Sequence, residues 1–179
     1  MPELVSSNNF VNCEISSLHL DSRDVKEGSV FFAIKGTNLN GIDFIEEARS
    51  KGAKLIISEE LIDDKNIVHC DNLKELLGKF ASRFYSYASK ELTTFCATGT
   101  NGKTTSVETY ANICKRLGKQ CGYISTIGKS INGKVVDEPS HLTTPDPISL
   151  NQSFSEMLMN GATHAAFEAS SHGLDQGRL

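Results

Sequence analysis

Residues 93–117 read as one continuous unit: an apolar run at Thr93–Ala97, a glycine loop at Gly99–Gly102, and a helix-patterned stretch to Leu117. No other segment restricts the fold as strongly. A strand that turns through glycines into a helix N-terminus aims consecutive main-chain N–H groups at an anion. Ala97–Thr104 matches the phosphate-loop pattern G-x-x-x-x-G-K-[ST], except that Ala97 stands where the first glycine would be. Gly99 and Gly102 permit the turn, since glycine alone adopts left-handed backbone without a steric penalty. Lys103 can reach the β- and γ-phosphates of a nucleoside triphosphate, and the Thr104 hydroxyl suits Mg²⁺, a hard ion that prefers oxygen ligands. A chance glycine turn with an exposed lysine is the alternative, and the strand-loop-helix context disfavours it.

The flanking pattern extends the unit. Gly118 and the run Cys121–Ser125 complete a strand-helix-strand crossover, and the stripe Val107, Tyr110, Ala111, Cys114, Leu117 is expected to face a sheet. Asn132-Gly133 between β-capable residues predicts a hairpin. Thr143–Pro147 predicts a rigid loop in which Asp146 caps, and Pro147 opens, a helix carrying Ile148, Phe154, Met157 and Leu158 inward. That helix stops at Asn160-Gly161, and a strand follows over His164–Ala169. Glu168 then falls at the C-terminal end of a strand, on the edge where ligands collect in open α/β sheets. It can hold Mg²⁺ or simply be a solvated edge carboxylate. His172, in the polar loop SSHGLDQGR, can bond a phosphate or a water or be a plain surface residue.

The first half reads differently. Val30–Ile34 is a strand, Asp43 can cap a short helix through Arg49, and Leu55–Ile57 is the next strand, giving a β-α-β order. Ile67–Cys70 adds a strand, and Asp71 can cap a helix with Leu73, Leu76, Leu77, Phe80 and Phe84 on one face. The texture changes after Ser86–Ser89, so the expected domains are residues 1–89 and 90–179. The fold class is α/β: a small N-terminal domain, then a phosphate-loop domain built on a parallel sheet. Only three parallel-type strands follow residue 90, where such domains carry five or more, so the second domain is expected to be truncated.

Composition narrows the function classes. Hydrophobic residues at 39% support a core, and a net charge of −4 provides no general attraction for a nucleic acid or an anionic membrane. Neither partner is expected. No run approaches ~18 apolar residues and no signal-like N-terminus is present, which favours the cytoplasm. The five cysteines, Cys13, Cys70, Cys96, Cys114 and Cys121, contain no C-x-x-C pair and are expected as small core residues. His19, His69 and His141 form no ligand pattern, and no Ser-His-Asp or Cys-His assembly can be read from spacing. A phosphate-loop kinase or GTPase would need a strand ending in Asp or an N-K-x-D motif, and neither occurs.

Three segments carry a further resemblance. ATGTNGKTT at Ala97–Thr105, HLTTPDP at His141–Pro147 and FEASSHGLDQGRL at Phe167–Leu179 occur in this order, and Leu20-Asp21-Ser22-Arg23, residues 28–36 and Asn40-Gly41 precede them. The chain resembles the Mur ligases, specifically their tripeptide-forming branch, over nearly its whole length. The resemblance implies an ATP-dependent ligase of peptidoglycan synthesis. Such an enzyme adds diaminopimelate or lysine to UDP-MurNAc-L-Ala-D-Glu through an acyl phosphate, and the expected form is a monomer.

It also implies roles for particular residues. ATP would bind at Gly99, Thr100, Asn101, Gly102, Lys103, Thr104 and Thr105, and Mg²⁺ at Thr104 and Glu168. Leu20, Ser22, Thr37, Asn38 and Leu39 would meet the uridine side, while Thr143, Thr144, Ser170, Gln176 and Arg178 would meet the sugar-peptide. Lys103, Glu168 and His172 are the expected catalytic groups. The family's amino-acid-binding domain and carbamylated lysine would lie beyond Leu179, so the 179-residue chain is expected to be inactive alone. The alternatives are a non-catalytic ATP- or UDP-sugar-binding fragment and another Mur-type ligase.

Overall fold

A computed structural model describes residues 14–36, 39–136 and 143–179. Cys13, Thr37, Asn38 and His141 lie outside the described residues. The chain divides into two compact units, one up to Leu76 and one from Leu77.

The first unit is a parallel sheet in sequential order, β1 (Leu18–His19), β2 (Val30–Ala33), β3 (Leu55–Ser58) and β4 (Ile67–His69). All four residues of β2 are buried, as expected of a strand covered on both faces. Helix α1 (Ile45–Ser50) connects β2 to β3, and Phe31, Ala33, Ile45, Ala48 and Ile56 share one core. The expected β-α-β order therefore stands, but Asp43 does not cap. A 3₁₀ turn at Gly41–Phe44 comes first, and the Asn40 side chain accepts the Ile42 N–H instead. Gly41 is required there, because a Cβ would lie 2.6 Å from the Ile34 nitrogen.

Helix α2 (Leu73–Phe84) buries Leu73, Leu77 and Ala81, with Leu76, Phe80 and Phe84 half-buried, which follows the expected face. Asp71 does not cap it. Asn72 has a φ of 57°, which carries the chain away from the cap geometry Asp71 would need, and the Glu59 carboxylate accepts the Lys74 N–H at 3.0 Å.

In the second unit a short helix α3 (Ala88–Glu91) leads into β5 (Thr93–Ala97), α4 (Lys103–Arg116) and β6 (Cys121–Ser125). Next come β7 (Gly128–Ile131), β8 (Lys134–Val136), α5 (Pro147–Met159), β9 (His164–Glu168) and α6 (Ser171–Asp175). The sheet order is β5-β9-β6-β7-β8, parallel through the first three and antiparallel for the hairpins. The β5-α4-β6 crossover thus leaves a gap of one strand, and β9 fills it. Ala165 and Ala166 sit on opposite faces of β9, both fully buried, one in the core beneath α5 and the other in the core beneath α4. Phe95 and Tyr110 stack at 4.6 Å on the α4 side.

Several local expectations hold. Asn132 and Gly133 have φ of 50° and 81°, the paired positive values of a tight hairpin. The Asp146 carboxylate accepts the Ile148 and Ser149 N–H groups, and Pro147 occupies the first turn. Others need correction. Leu117 is 71% exposed, because α4 ends at Arg116 and Leu117 is its C-cap, just before the left-handed Gly118. Cys96 is exposed on β5, which is an edge strand among the described residues, and Cys70 is only half-buried. Cys114 and Cys121 are buried as expected, and burial pushes the Cys121 thiol up to about 12. SSHGLDQGR is not a loop but contains α6, because Ser170 caps it by accepting the Gly173 N–H.

Met157 is fully buried, and a Cβ on Gly122 would lie 2.5 Å from its sulfur. Met157→Ala is expected to lower stability by about 2–5 kcal/mol in urea unfolding.

Candidate nucleotide and metal site

The site begins where β5 ends. Gly99 and Gly102 have φ of 137° and 82°, and around Gly102 there is open space, so backbone conformation and not crowding demands glycine there. The first α-helical hydrogen bond of α4 runs from Ser106 N–H to the Gly102 carbonyl at 2.9 Å. The amides before it point out of the helix start, where the helix dipole also favours negative charge. Lys103 curls back over this loop, its Nζ donating to the Gly99 carbonyl at 2.7 Å and the Thr100 carbonyl at 3.3 Å. The Lys103 cation is therefore held against the main chain of the glycine loop.

Glu168 adjoins the start of α4 through Thr104. It ends β9 in register with Ala97 and is 1% exposed, which excludes the reading of a solvated edge carboxylate. Its Oε1 accepts from Thr104 Oγ1 at 2.8 Å, from the Thr126 N–H at 3.0 Å and from Thr126 Oγ1 at 3.4 Å. Among the described residues no donor reaches Oε2, and no lysine or arginine pairs with this carboxylate. A buried carboxylate held by neutral donors alone is poorly compensated, and an incoming cation relieves that deficit. Carboxylate and hydroxyl oxygens suit a hard ion such as Mg²⁺, so the residues fit it. No cluster of three or more His, Cys, Asp or Glu offers a rival metal site among the described residues.

The other expected residues fall into three groups. Thr144 is fully buried, and its hydroxyl donates to the Glu168 carbonyl at 3.0 Å while accepting the Ser170 N–H at 2.8 Å. Arg178 donates to the Thr144 carbonyl at 2.8 Å and also to Gln176 Oε1. The structure thus brings Thr144, Ser170, Gln176 and Arg178 together beyond the end of β9, with Thr143 beside them. Gly173 is required in this packing, since a Cβ would lie 2.7 Å from that of Thr144. His172 is exposed on α6, and its ring makes no hydrogen bond among the described residues.

In the first unit, Leu20 is half-buried and Leu39 is 66% exposed. Ser22 is buried and donates to Glu47 at 2.6 Å; this bond and Lys51 hold the Glu47 carboxyl below its usual range. Thr126 was not anticipated from the sequence, because only the non-local sheet order sets the end of β6 beside Glu168.

A cleft of about 400 Å³ lies elsewhere, along later turns of α4 and past β6 and β7. Glu108, Asn112, Lys115, Tyr123 and Ser130 line it, and no residue of the glycine loop does.

Residues 97–179 match the Mur ligase middle domain, and residues 14–85 match the Mur ligase family catalytic domain. The chain belongs to the Mur ligase family. It is 38% identical to the UDP-N-acetylmuramoyl-L-alanyl-D-glutamate–2,6-diaminopimelate ligase of Cytophaga hutchinsonii, over 98% of this chain and 37% of that protein. A solved structure of a ligase of the same name superposes with a TM-score of 0.77 at 30% identity, covering 96% of this chain and 36% of the other. The MurF ligase of Thermotoga maritima, solved in complex with ADP, gives a TM-score of 0.61 at 26% identity, covering 87% and 32%. This Mur ligase chain therefore spans about a third of the length of these relatives. No helix among the described residues is long and apolar enough to cross a membrane.

Thr144 ties together the two segments that most mark the family resemblance. Thr144→Val leaves the Ser170 amide without its acceptor and is expected to destabilise the second unit by about 1–3 kcal/mol in urea unfolding.

Proposed function

We propose that this chain is the nucleotide- and UDP-substrate-binding part of an ATP-dependent ligase. The full-length protein would add a third amino acid, diaminopimelate or lysine, to UDP-MurNAc-L-Ala-D-Glu. The observation that carries the reading is the Glu168 carboxylate, buried against Thr104 beside a main-chain amide loop and held only by neutral donors among the described residues. The names of the relatives support the reaction, since two of them are diaminopimelate ligases of this substrate.

A carboxylate is a poor acyl donor. In the proposed reaction the γ-phosphoryl group of ATP passes to a substrate carboxylate oxygen and ADP leaves. The amine of the incoming amino acid then attacks the acyl carbon, inorganic phosphate departs, and the amine loses a proton. The protein's part is positioning and charge neutralisation. The amides of Gly99–Thr105 would hold the β- and γ-phosphates, and Lys103 would move from the loop carbonyls onto the migrating phosphoryl charge. Thr104 and Glu168 would hold Mg²⁺, which when bound neutralises phosphate charge. His172, exposed on α6, would meet a phosphate oxygen or water.

In this reading residues 1–89 take the uridine side through Leu20, Ser22 and the 37–39 loop, and residues 90–179 take the nucleotide. Thr143, Thr144, Ser170, Gln176 and Arg178 would face the sugar-peptide, their hydroxyl, amide and guanidinium groups suiting its carboxylate and pyrophosphate oxygens. The protein would work as a monomer in the cytoplasm, with neither nucleic acid nor membrane as partner. Because the chain spans a third of its relatives, binding without turnover is the behaviour expected of it in isolation.

Calorimetric titration tests the reading. Wild type is expected to bind ATP with Mg²⁺, and Lys103→Ala to bind it roughly 10- to 100-fold more weakly, the loss of charge-assisted hydrogen bonds. Binding of UDP-MurNAc-L-Ala-D-Glu should survive that change. Equal loss of both ligands, or no nucleotide binding by wild type, would contradict the proposal.

A further inference from the structure

The connection between β6 and β7 is only Thr126-Ile127, and it sets Thr126 directly against Glu168. The Thr126 N–H donates to Oε1 at 3.0 Å. Its hydroxyl lies 3.1 Å from Thr104 Oγ1 and 3.4 Å from Glu168 Oε1. The turn itself is pinned: Ser125 is 1% exposed, its hydroxyl donates to the Gly128 carbonyl at 3.2 Å, and Gly128 has a φ of 133°. Nothing in the phosphate-loop pattern requires a residue at this place, which comes from a different strand.

Two features of this contact go beyond simple packing. First, the donors converge on Oε1, so they fix the carboxylate's rotamer while leaving Oε2 unengaged among the described residues. Secondly, the Thr126 hydroxyl has one proton and two acceptors in reach. Directed to Thr104, it occupies a lone pair of the oxygen that would bind a cation; directed to Glu168, it frees that lone pair and still has a partner. The rotation moves one hydrogen and leaves no donor stranded, which keeps its free-energy difference small.

From this geometry we propose that Thr126 is a positioning residue of the metal-nucleotide site, which holds Glu168 through its amide and hydroxyl and releases Thr104 for the divalent cation. The inference rests on the proposed function of this site. Outer-shell partners of metal ligands commonly matter by 10- to 100-fold in metal affinity, which sets the scale of the expected effect.

The test is calorimetric binding of a non-hydrolysable ATP analogue to the chain, in EDTA and across a Mg²⁺ series, for wild type, Thr126→Val, Thr126→Ala and Thr126→Ser. Thr126→Val and Thr126→Ala are expected to need at least about 10-fold more Mg²⁺ for the same nucleotide affinity. Their affinity in EDTA should equal that of wild type, and Thr126→Ser should restore the Mg²⁺ dependence. A Mg²⁺ dependence unchanged in both hydroxyl-free variants would overturn the proposal while leaving the function intact. So would an equal loss in EDTA, which marks a merely structural role, or failure of serine to restore. A wild type whose nucleotide binding ignores Mg²⁺ would overturn the functional reading and this inference together.

Discussion

Burying a carboxylate away from a cation is unfavourable, and the second unit is arranged around Glu168, which pairs with no lysine or arginine among the described residues. Glu168 is held by the Thr104 hydroxyl, the Thr126 amide and, at longer range, the Thr126 hydroxyl, none of which carries a full charge. This arrangement depends on β9 entering between β5 and β6, so that Glu168 comes level with the last residue of β5, where the glycine loop starts. The small residues Ala165 and Ala166 let helices pack close on both faces of that strand. Core packing and site geometry are therefore one problem, because a shift of β9 along its neighbours would withdraw the carboxylate from the loop.

The same strand organises the second half of the site. Where β9 ends, Thr144 takes the Glu168 carbonyl and the Ser170 amide with one hydroxyl, and Arg178 takes the Thr144 carbonyl. The chain thus couples the loop before α5 to the cap of α6 through a hydrogen-bond junction centred on the fully buried Thr144. A junction with its groups paired in this way is stiff, which suits side chains that must present donors to a large anionic substrate.

How much of this was legible in the sequence depended on range. Gly99, Gly102, Lys103 and Thr104 were readable because their geometry follows from neighbours a few residues away, and so were the Asn132-Gly133 turn and the Asp146-Pro147 cap. The role of Glu168 was half legible: its strand end was visible, but its burial follows from the non-local insertion of β9. Thr126 lay beyond local reasoning, since its partners are 22 and 42 residues away. Caps failed for a related reason. Asp43 and Asp71 are good capping types, but a 3₁₀ turn capped by Asn40 runs through Asp43, and the distant Glu59 takes the Lys74 N–H. At the C-terminal end the abundance of Ser, Gly and Asp suggested a loop, although Ser170 makes the same residues begin a helix.

The central claim is that the main-chain amides after β5, with Glu168 beneath them, form the seat of a metal-bound nucleotide. Amide chemical shifts report on this most directly. On adding a non-hydrolysable ATP analogue with Mg²⁺ to isotope-labelled chain, the account predicts the largest shifts at Gly99–Thr105, with smaller ones at Thr126 and Glu168. Shifts centred on the α4 cleft around Asn112 and Lys115, or none in the glycine loop, would contradict it.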